Sequence, residues 1–145
     1  MAASLVDVNV WMALYLDNHV HHQICHEWYA CVGPREAVFC RITQMGFLRH
    51  LTTPVIMNGR PLSQREAWKA YESILTLSET VFLREPDALF DETWKRLTNS
   101  PLPSNKHWTD AYLATFARLH RLTLVTLDRA LGESDPKHLW LRPRT

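Results

Sequence analysis

Three acidic residues stand where an acid is least expected. They are Asp7 in Leu5-Val6-Asp7-Val8-Asn9-Val10, Asp110 in Trp108-Thr109-Asp110-Ala111-Tyr112-Leu113-Ala114, and Asp128 in Leu124-Val125-Thr126-Leu127-Asp128-Arg129. Each lies in or beside an apolar run, where a carboxylate is costly unless something neutralises it. Asp7 and Asp128 directly follow short β-like runs. Three carboxylates gathered at one sheet edge make a hard-oxygen donor set, which favours Mg²⁺ or Mn²⁺. Phosphate chemistry is the usual use of such a set. Taken singly, each acid has a plainer role. Asp7 can cap a helix, Asp110 is a first-turn acid that suits a helix dipole, and Asp128 can belong to a turn.

Other polar residues flank these three. Asn9 suits a helix cap that also orients Asp7. Thr126 suits a hydrogen bond to a carboxylate, or a turn. Arg41, Arg49, Lys106 and Arg129 are candidates for steering a phosphate backbone, against the ordinary role of solvated or paired surface groups. His19, His21, His22 and His26 form a second cluster, and the spacing from His22 to His26 puts two imidazoles on one helix face. No third ligand is evident nearby, so a polar helix start is the plainer account. The six tryptophans suit core or dimer-interface positions, with an exposed one able to stack on a base. Cys25, Cys31 and Cys40 are odd in number and contain no CxxC pair, which fits reduced thiols rather than disulfides or a zinc site.

The elements that must position the acids follow from patterning. Ser4-Leu5-Val6 is a short apolar run suited to a buried parallel strand that ends at Asp7. Asn9 is placed to cap a helix through Trp11 to Leu16. A second helix is expected from about His22 to Val32, ended by Gly33-Pro34. Ala37 to Cys40 is the next strand. A helix opening near Thr43 follows, with Ile42, Met45, Phe47, Leu48 and Leu51 as apolar positions, and Pro54 stops it. Ser63 and Glu66 form a capping box for a helix to about Leu77. Val81-Phe82-Leu83 is a short strand, and Pro86-Asp87 opens a helix carrying Leu89, Phe90, Trp94 and Leu97. A helix from Thr109 to His120 carries Asp110 near its start. Thr123-Leu124-Val125 is a buried strand leading to Asp128, and His138 to Leu141 is a last strand. Strands alternating with helices imply a layered α/β fold with a mainly parallel sheet. Sites on such sheets lie beyond the carboxyl ends of the strands, which is where Asp7 and Asp128 fall.

Length and composition bound the rest. The 145 residues suit a single domain, 1–145, with a real core. Sixteen basic residues against fifteen acidic ones exclude a strongly basic nucleic-acid coat and leave only local patches. No apolar stretch approaches membrane-spanning length, and the N-terminus lacks the basic region of a signal peptide, so a soluble cytoplasmic protein is expected.

The order Asp7-x-Asn9, then Gly46-Phe47-Leu48-Arg49-His50-Leu51-Thr52, then Thr109-Asp110-Ala111-Tyr112-Leu113-Ala114, then Thr126-Leu127-Asp128 resembles a PIN domain. Within that family it is most similar to VapC-type toxins of bacterial toxin–antitoxin pairs. The resemblance runs from about Ser4 to Trp140. It implies a PIN-like three-layer α/β/α fold and a metal-dependent endoribonuclease acting on RNA. It also implies a homodimer inhibited by a VapB-type antitoxin. One departure stands out. The family commonly places a glutamate on the helix after the second strand, just before an apolar pair and an arginine. Here that position is Gly46. The usual acidic quartet becomes a trio, with Gln44 as the nearest side chain able to offer a neutral oxygen.

The expected chemistry is hydrolysis of an RNA phosphodiester at Asp7, Asp110 and Asp128, with Mg²⁺ or Mn²⁺ held among them and Asn9, Gln44 and Thr126 in support. Arg49, Lys106 and Arg129 are the candidate RNA contacts. Two other classes compete. One is a PIN-like RNA- or partner-binding module weakened by loss of the glutamate. The other is a receiver-like phosphoacceptor, for which the required late lysine is not in place. Nuclease activity with manganese separates the first two, and phosphoryl uptake from a small donor marks the third.

Overall fold

The computed structural model describes residues 3–133 and 137–142. In chain order the elements are β1 (Ser4–Val6), α1 (Val8–Tyr15), α2 (His22–Tyr29), β2 (Ala37–Phe39), α3 (Arg41–Leu51), α4 (Gln64–Leu75), β3 (Thr80–Phe82), α5 (Phe90–Thr98), α6 (His107–His120), β4 (Thr123–Thr126), α7 (Arg129–Glu133) and β5 (His138–Trp140). The strands lie in the order β3-β2-β1-β4-β5, and every pairing is parallel. The expected layered α/β fold with a parallel sheet is the one observed.

Alternation along the short strands divides the core in two. Leu5, Val38 and Leu124 face Phe90, Tyr112, Phe116 and Leu131 of α5, α6 and α7. Val6, Phe39 and Val125 face Val10, Trp11, Phe47 and Tyr71 of α1, α3 and α4. The central strands β1, β2 and β4 are buried on both sides, which is why each reads as an apolar run, whereas the edge strand β5 is largely exposed. Trp11 stacks flat on Phe39, with ring centroids 4.0 Å apart, and this fixes α1 over the sheet.

The chain runs outward from β1 to β2 and β3, then returns to place β4 on the other side of β1. Leu5 is opposite Leu124 and Val6 opposite Val125. The order therefore reverses between β1 and β4, and a crevice opens beyond the carboxyl ends of strands at such a point. Asp7 and Asp128 emerge there.

Several boundaries differ from expectation. Asp7, not Asn9, caps α1: its backbone is extended and its carboxylate accepts from the Val8 amide at 2.8 Å. Asn9 lies inside the helix, and its side-chain oxygen accepts from the Leu127 amide at 3.2 Å. Helix α3 starts at Arg41 rather than near Thr43. The Thr43 hydroxyl folds back on Cys40, accepting from its amide at 2.9 Å and donating to its carbonyl at 3.1 Å. Met45 is exposed while Gln44 is buried, the reverse of their polarity. Helix α2 ends at Tyr29 and α4 at Leu75. The helix expected from Pro86 begins only at Phe90, because the chain first turns through left-handed Leu89 at φ 65°. Helix α6 starts at His107, two residues earlier than expected, and the short α7 was not foreseen.

Candidate functional site

The two strand-end acids meet through one hydroxyl. Thr126 is fully buried; it donates to Asp7 Oδ2 at 2.7 Å and accepts from the Asp128 amide at 2.9 Å. The Asp7 amide donates to the Val125 carbonyl at 2.9 Å, and Asn9 grips Leu127 from the other side. The end of β4 is thereby tied to the start of α1 at three points. Asp128 Oδ1 accepts from the Ala130 and Leu131 amides at 2.9 and 3.4 Å, so this acid also opens α7.

Asp110 comes from the opposite layer. Helix α6 is seated by α5: Trp94 Nε1 donates to the Trp108 carbonyl at 3.0 Å, and His107 Nε2 lies 2.8 Å from the Leu97 carbonyl. This fixes the first turn of α6, with Lys106 as its cap and Asp110 one turn later. Lys106 Nζ reaches Asp128 Oδ2 at 3.1 Å.

The electrostatics bind the three acids into one unit. Burial pushes the Asp7 carboxyl above the usual range, and the charges of Asp128 and Asp110 push it further, against the hydrogen bonds from Thr126 and Val8. Asp110 is also raised, by burial and by Asp128, against Lys106 and His107. Asp128 goes the other way: burial opposes its ionisation, but Lys106 and the Leu131 and Ala130 amides outweigh it. Lys106 is raised by its bond to Asp128 and by the fields of Asp110, Asp128 and Asp7. Among the described residues, no three His, Cys, Asp or Glu side chains stand close enough to form a ready ion cage. Asp110 joins the others through charge rather than through a direct bond.

The remaining candidates fall as follows. Gln44 accepts from Arg41 Nη1, which turns its oxygen to that neighbour on α3. Arg41 itself lies over the Phe82 ring at 4.8 Å. Arg129 lies over Trp140 at 5.5 Å, and Arg49 is exposed on α3. Gly46 sits against α1: a Cβ there would come 2.6 Å from Val8 Cγ2. The position therefore faces the residue that follows Asp7. The histidines do not converge on a metal geometry. His22 Nδ1 bonds the Ala13 carbonyl at 2.7 Å, and the His22 and His26 rings stack 5.7 Å apart. Trp11 is core, whereas Trp68 and Trp108 are exposed. The sequence offers Lys106 only as an RNA contact, whereas the structure places its ammonium within the acidic cluster. The signal was present, since Lys106 precedes Asp110 by four residues, the spacing that brings helix side chains together.

The PIN domain family model matches residues 4–135. The chain belongs to the PIN-domain family. Within it, the chain is 40% identical over 134 residues to Ribonuclease VapC41 of Mycobacterium tuberculosis, which covers 89% of this chain and 91% of that protein. That identity over nearly the whole length makes it a VapC-type member of the PIN domains. Solved structures agree in fold. The PIN domain superposes on Mycobacterium tuberculosis VapC20, described as a sarcin-ricin loop cleaving toxin, with a TM-score of 0.67 and 16% identity, covering 91% of this chain and 95% of that one. It also matches a toxin–antitoxin complex from Klebsiella pneumoniae, with a TM-score of 0.63 and 14% identity over 97% and 98% of the two chains. None of the helices in the described part of this PIN domain is long and apolar enough to cross a membrane.

One prediction arises from the Thr126 bridge. Thr126→Val keeps the shape but removes the donor to Asp7 and the acceptor for the Asp128 amide. Leaving such buried groups unpaired costs about 1–3 kcal/mol. Losing an outer partner of this kind lowers activity about ten- to a hundredfold. Urea unfolding and RNA cleavage, measured on the same preparation, check both.

Proposed function

We propose that this protein is a Mg²⁺- or Mn²⁺-dependent endoribonuclease and the toxin of a toxin–antitoxin pair. The observation that carries it is the junction of β1 and β4. Asp7 and Asp128 are bridged there by one threonine, and Asp110 is coupled to both by charge. The donor set is all carboxylate, with no imidazole or thiolate, and suits a hard cation. Two of its three acids are raised, first by burial and then by neighbouring carboxylates, and a bound cation would offset both. The residues thus fit a divalent ion.

Asp7, Asp110 and Asp128 would hold that ion, which supplies Lewis acidity and a water nucleophile at neutral pH. The chain's own residues do the rest. Thr126 and the Val8 amide fix the two oxygens of Asp7, so the carboxylate cannot swing away. The amides at the start of α7 hold one oxygen of Asp128, Oδ1. Exposed Arg49, with Arg129 beside Trp140, would meet the RNA backbone. The near-neutral net charge fits modest general affinity, with selectivity drawn from RNA shape.

Partners follow from the relatives. A VapB-type antitoxin would block the site with a cationic side chain, an arginine by preference, because a guanidinium forms paired charge-assisted bonds with carboxylates. The working form would be a cytoplasmic homodimer. A weakened binding module is favoured by one observation only, the Gly46 contact with Val8, which leaves three acids rather than four.

The test is direct. The purified chain, given unlabelled cellular RNA and Mn²⁺, should cleave at discrete sites. EDTA should stop cleavage and added Mn²⁺ should restore it. Cleavage undiminished by EDTA would reject metal dependence. RNA binding without cleavage, across Mg²⁺ and Mn²⁺, would favour the binding module.

A further inference from the structure

A lysine inside an ion site needs an explanation. Lys106 caps α6 from an exposed position, with its side chain 61% accessible, yet its ammonium is folded back onto Asp128 Oδ2 at 3.1 Å. The oxygen it takes is the one that the α7 amides leave open, since Oδ1 of Asp128 is already occupied by Ala130 and Leu131. Asp7 has no comparable freedom, because Val8 and Thr126 hold its two oxygens. The ammonium therefore sits on the oxygen that these contacts leave open at the two strand-end acids. Its charge is also felt by Asp110, one helical turn along α6.

We propose that Lys106 is a placeholder cation: it holds Asp128 while no divalent ion is bound, yields that oxygen when one arrives, and then contacts the RNA phosphate at the same spot. This rests on the reading of the three acids as a divalent-ion site. A flexible four-carbon stem carries a compact point charge that can leave and return without moving the backbone. An exposed pair of this kind is weak, so a divalent ion can displace it. The same stem keeps the released ammonium within reach of a phosphate brought to the ion. A guanidinium at this position, with its paired donors, would yield Asp128 less readily.

The prediction is a pair of opposite changes in one variant. Lys106→Met removes the competitor, so Mn²⁺ should bind about 1.5- to fivefold tighter, the range set by a weak exposed ion pair. The same variant should lose RNA affinity, seen as a raised KM with kcat little changed. Lys106→Arg should bind Mn²⁺ no more tightly than the wild type and should keep a KM close to it. Calorimetric Mn²⁺ titration of the three full-length proteins reads the first change, and RNA cleavage at saturating Mn²⁺ reads the second. Tighter Mn²⁺ binding together with a raised KM supports the placeholder. Equal or weaker Mn²⁺ binding in Lys106→Met overturns it, as does an unchanged KM. If the wild type binds no Mn²⁺ at all, the divalent-ion reading fails first, and the placeholder falls with it.

Discussion

Asp7→Asn should abolish RNA cleavage while leaving the fold intact. The loss should exceed about a hundredfold, beyond the ten- to hundredfold typical when only an outer partner of a metal site is removed. Asparagine keeps the size of the side chain and one oxygen to accept from the Val8 amide, so α1 retains its cap. What disappears is a buried negative charge. That charge is unfavourable in the metal-free protein, because burial and the neighbouring acids raise the Asp7 carboxyl above its ordinary value. The sign of the pH effect follows. A raised carboxyl favours the folded state fully below the unfolded value, about 3.9, and this advantage is lost as pH rises through the folded value. At neutral pH the metal-free wild type thus carries a penalty that the variant lacks. Metal-free Asp7→Asn should be at least as stable at pH 7 and should show a flatter stability profile toward acid. Cleavage near the wild-type rate in a folded Asp7→Asn protein would remove Asp7 from the chemistry.

Gly46→Glu should destabilise the protein rather than improve it. The added Cβ would meet Val8 Cγ2 at 2.6 Å, and valine is branched at Cβ and cannot swing aside cheaply. Overpacking of this kind costs about 1–3 kcal/mol. That outweighs or cancels the gain of about 1 kcal/mol from replacing a helical glycine. Gly46→Ala should show the same steric penalty without the charge. Trimming the neighbour, as Val8→Ala, should relieve it, so the double variant should be more stable than the two single effects summed. In that relieved background the new carboxylate is free to approach Asp7, and Mn²⁺ binding should tighten. Thermal unfolding of the four variants and the wild type reads the clash. A Gly46→Glu protein as stable as the wild type would show that α3 and α1 can part without penalty.

The parallel sheet and the two strand-end acids were legible in the sequence for a physical reason. Strands buried on both faces must be continuous apolar runs, and an acid directly after such a run has to serve a cap, a turn or a ligand. Asp7 and Asp128 serve as caps in the structure, so the plain role and the chemical one fall on the same side chains. Asp110 was legible as a first-turn acid, and its seating depends on α5 contacts that no local pattern carries. Helix starts were misjudged where tertiary bonds decide them. The Asn9 oxygen serves Leu127, 118 residues away in sequence, rather than its own helix. Leu89 takes a left-handed turn that composition gives no cause to expect. Gln44 is buried and Met45 exposed because the face of α3 is chosen by packing against Tyr71 and Phe39, not by polarity. The spacing of Lys106 to Asp110 is local, but its direct partner Asp128 lies 22 positions further along, and no local pattern joins those two.

The central claim is that Asp7, Asp110 and Asp128 act together on one divalent ion. Asp110 is the sharpest probe, because charge rather than a hydrogen bond links it to the other two. Mn²⁺ should be titrated calorimetrically into the wild type and into Asp110→Asn under identical conditions. The expected result is saturable uptake by the wild type and binding weakened by more than about tenfold in the variant, since carboxylate count sets hard-cation affinity. Equal Mn²⁺ affinity in the two proteins would contradict the three-acid site.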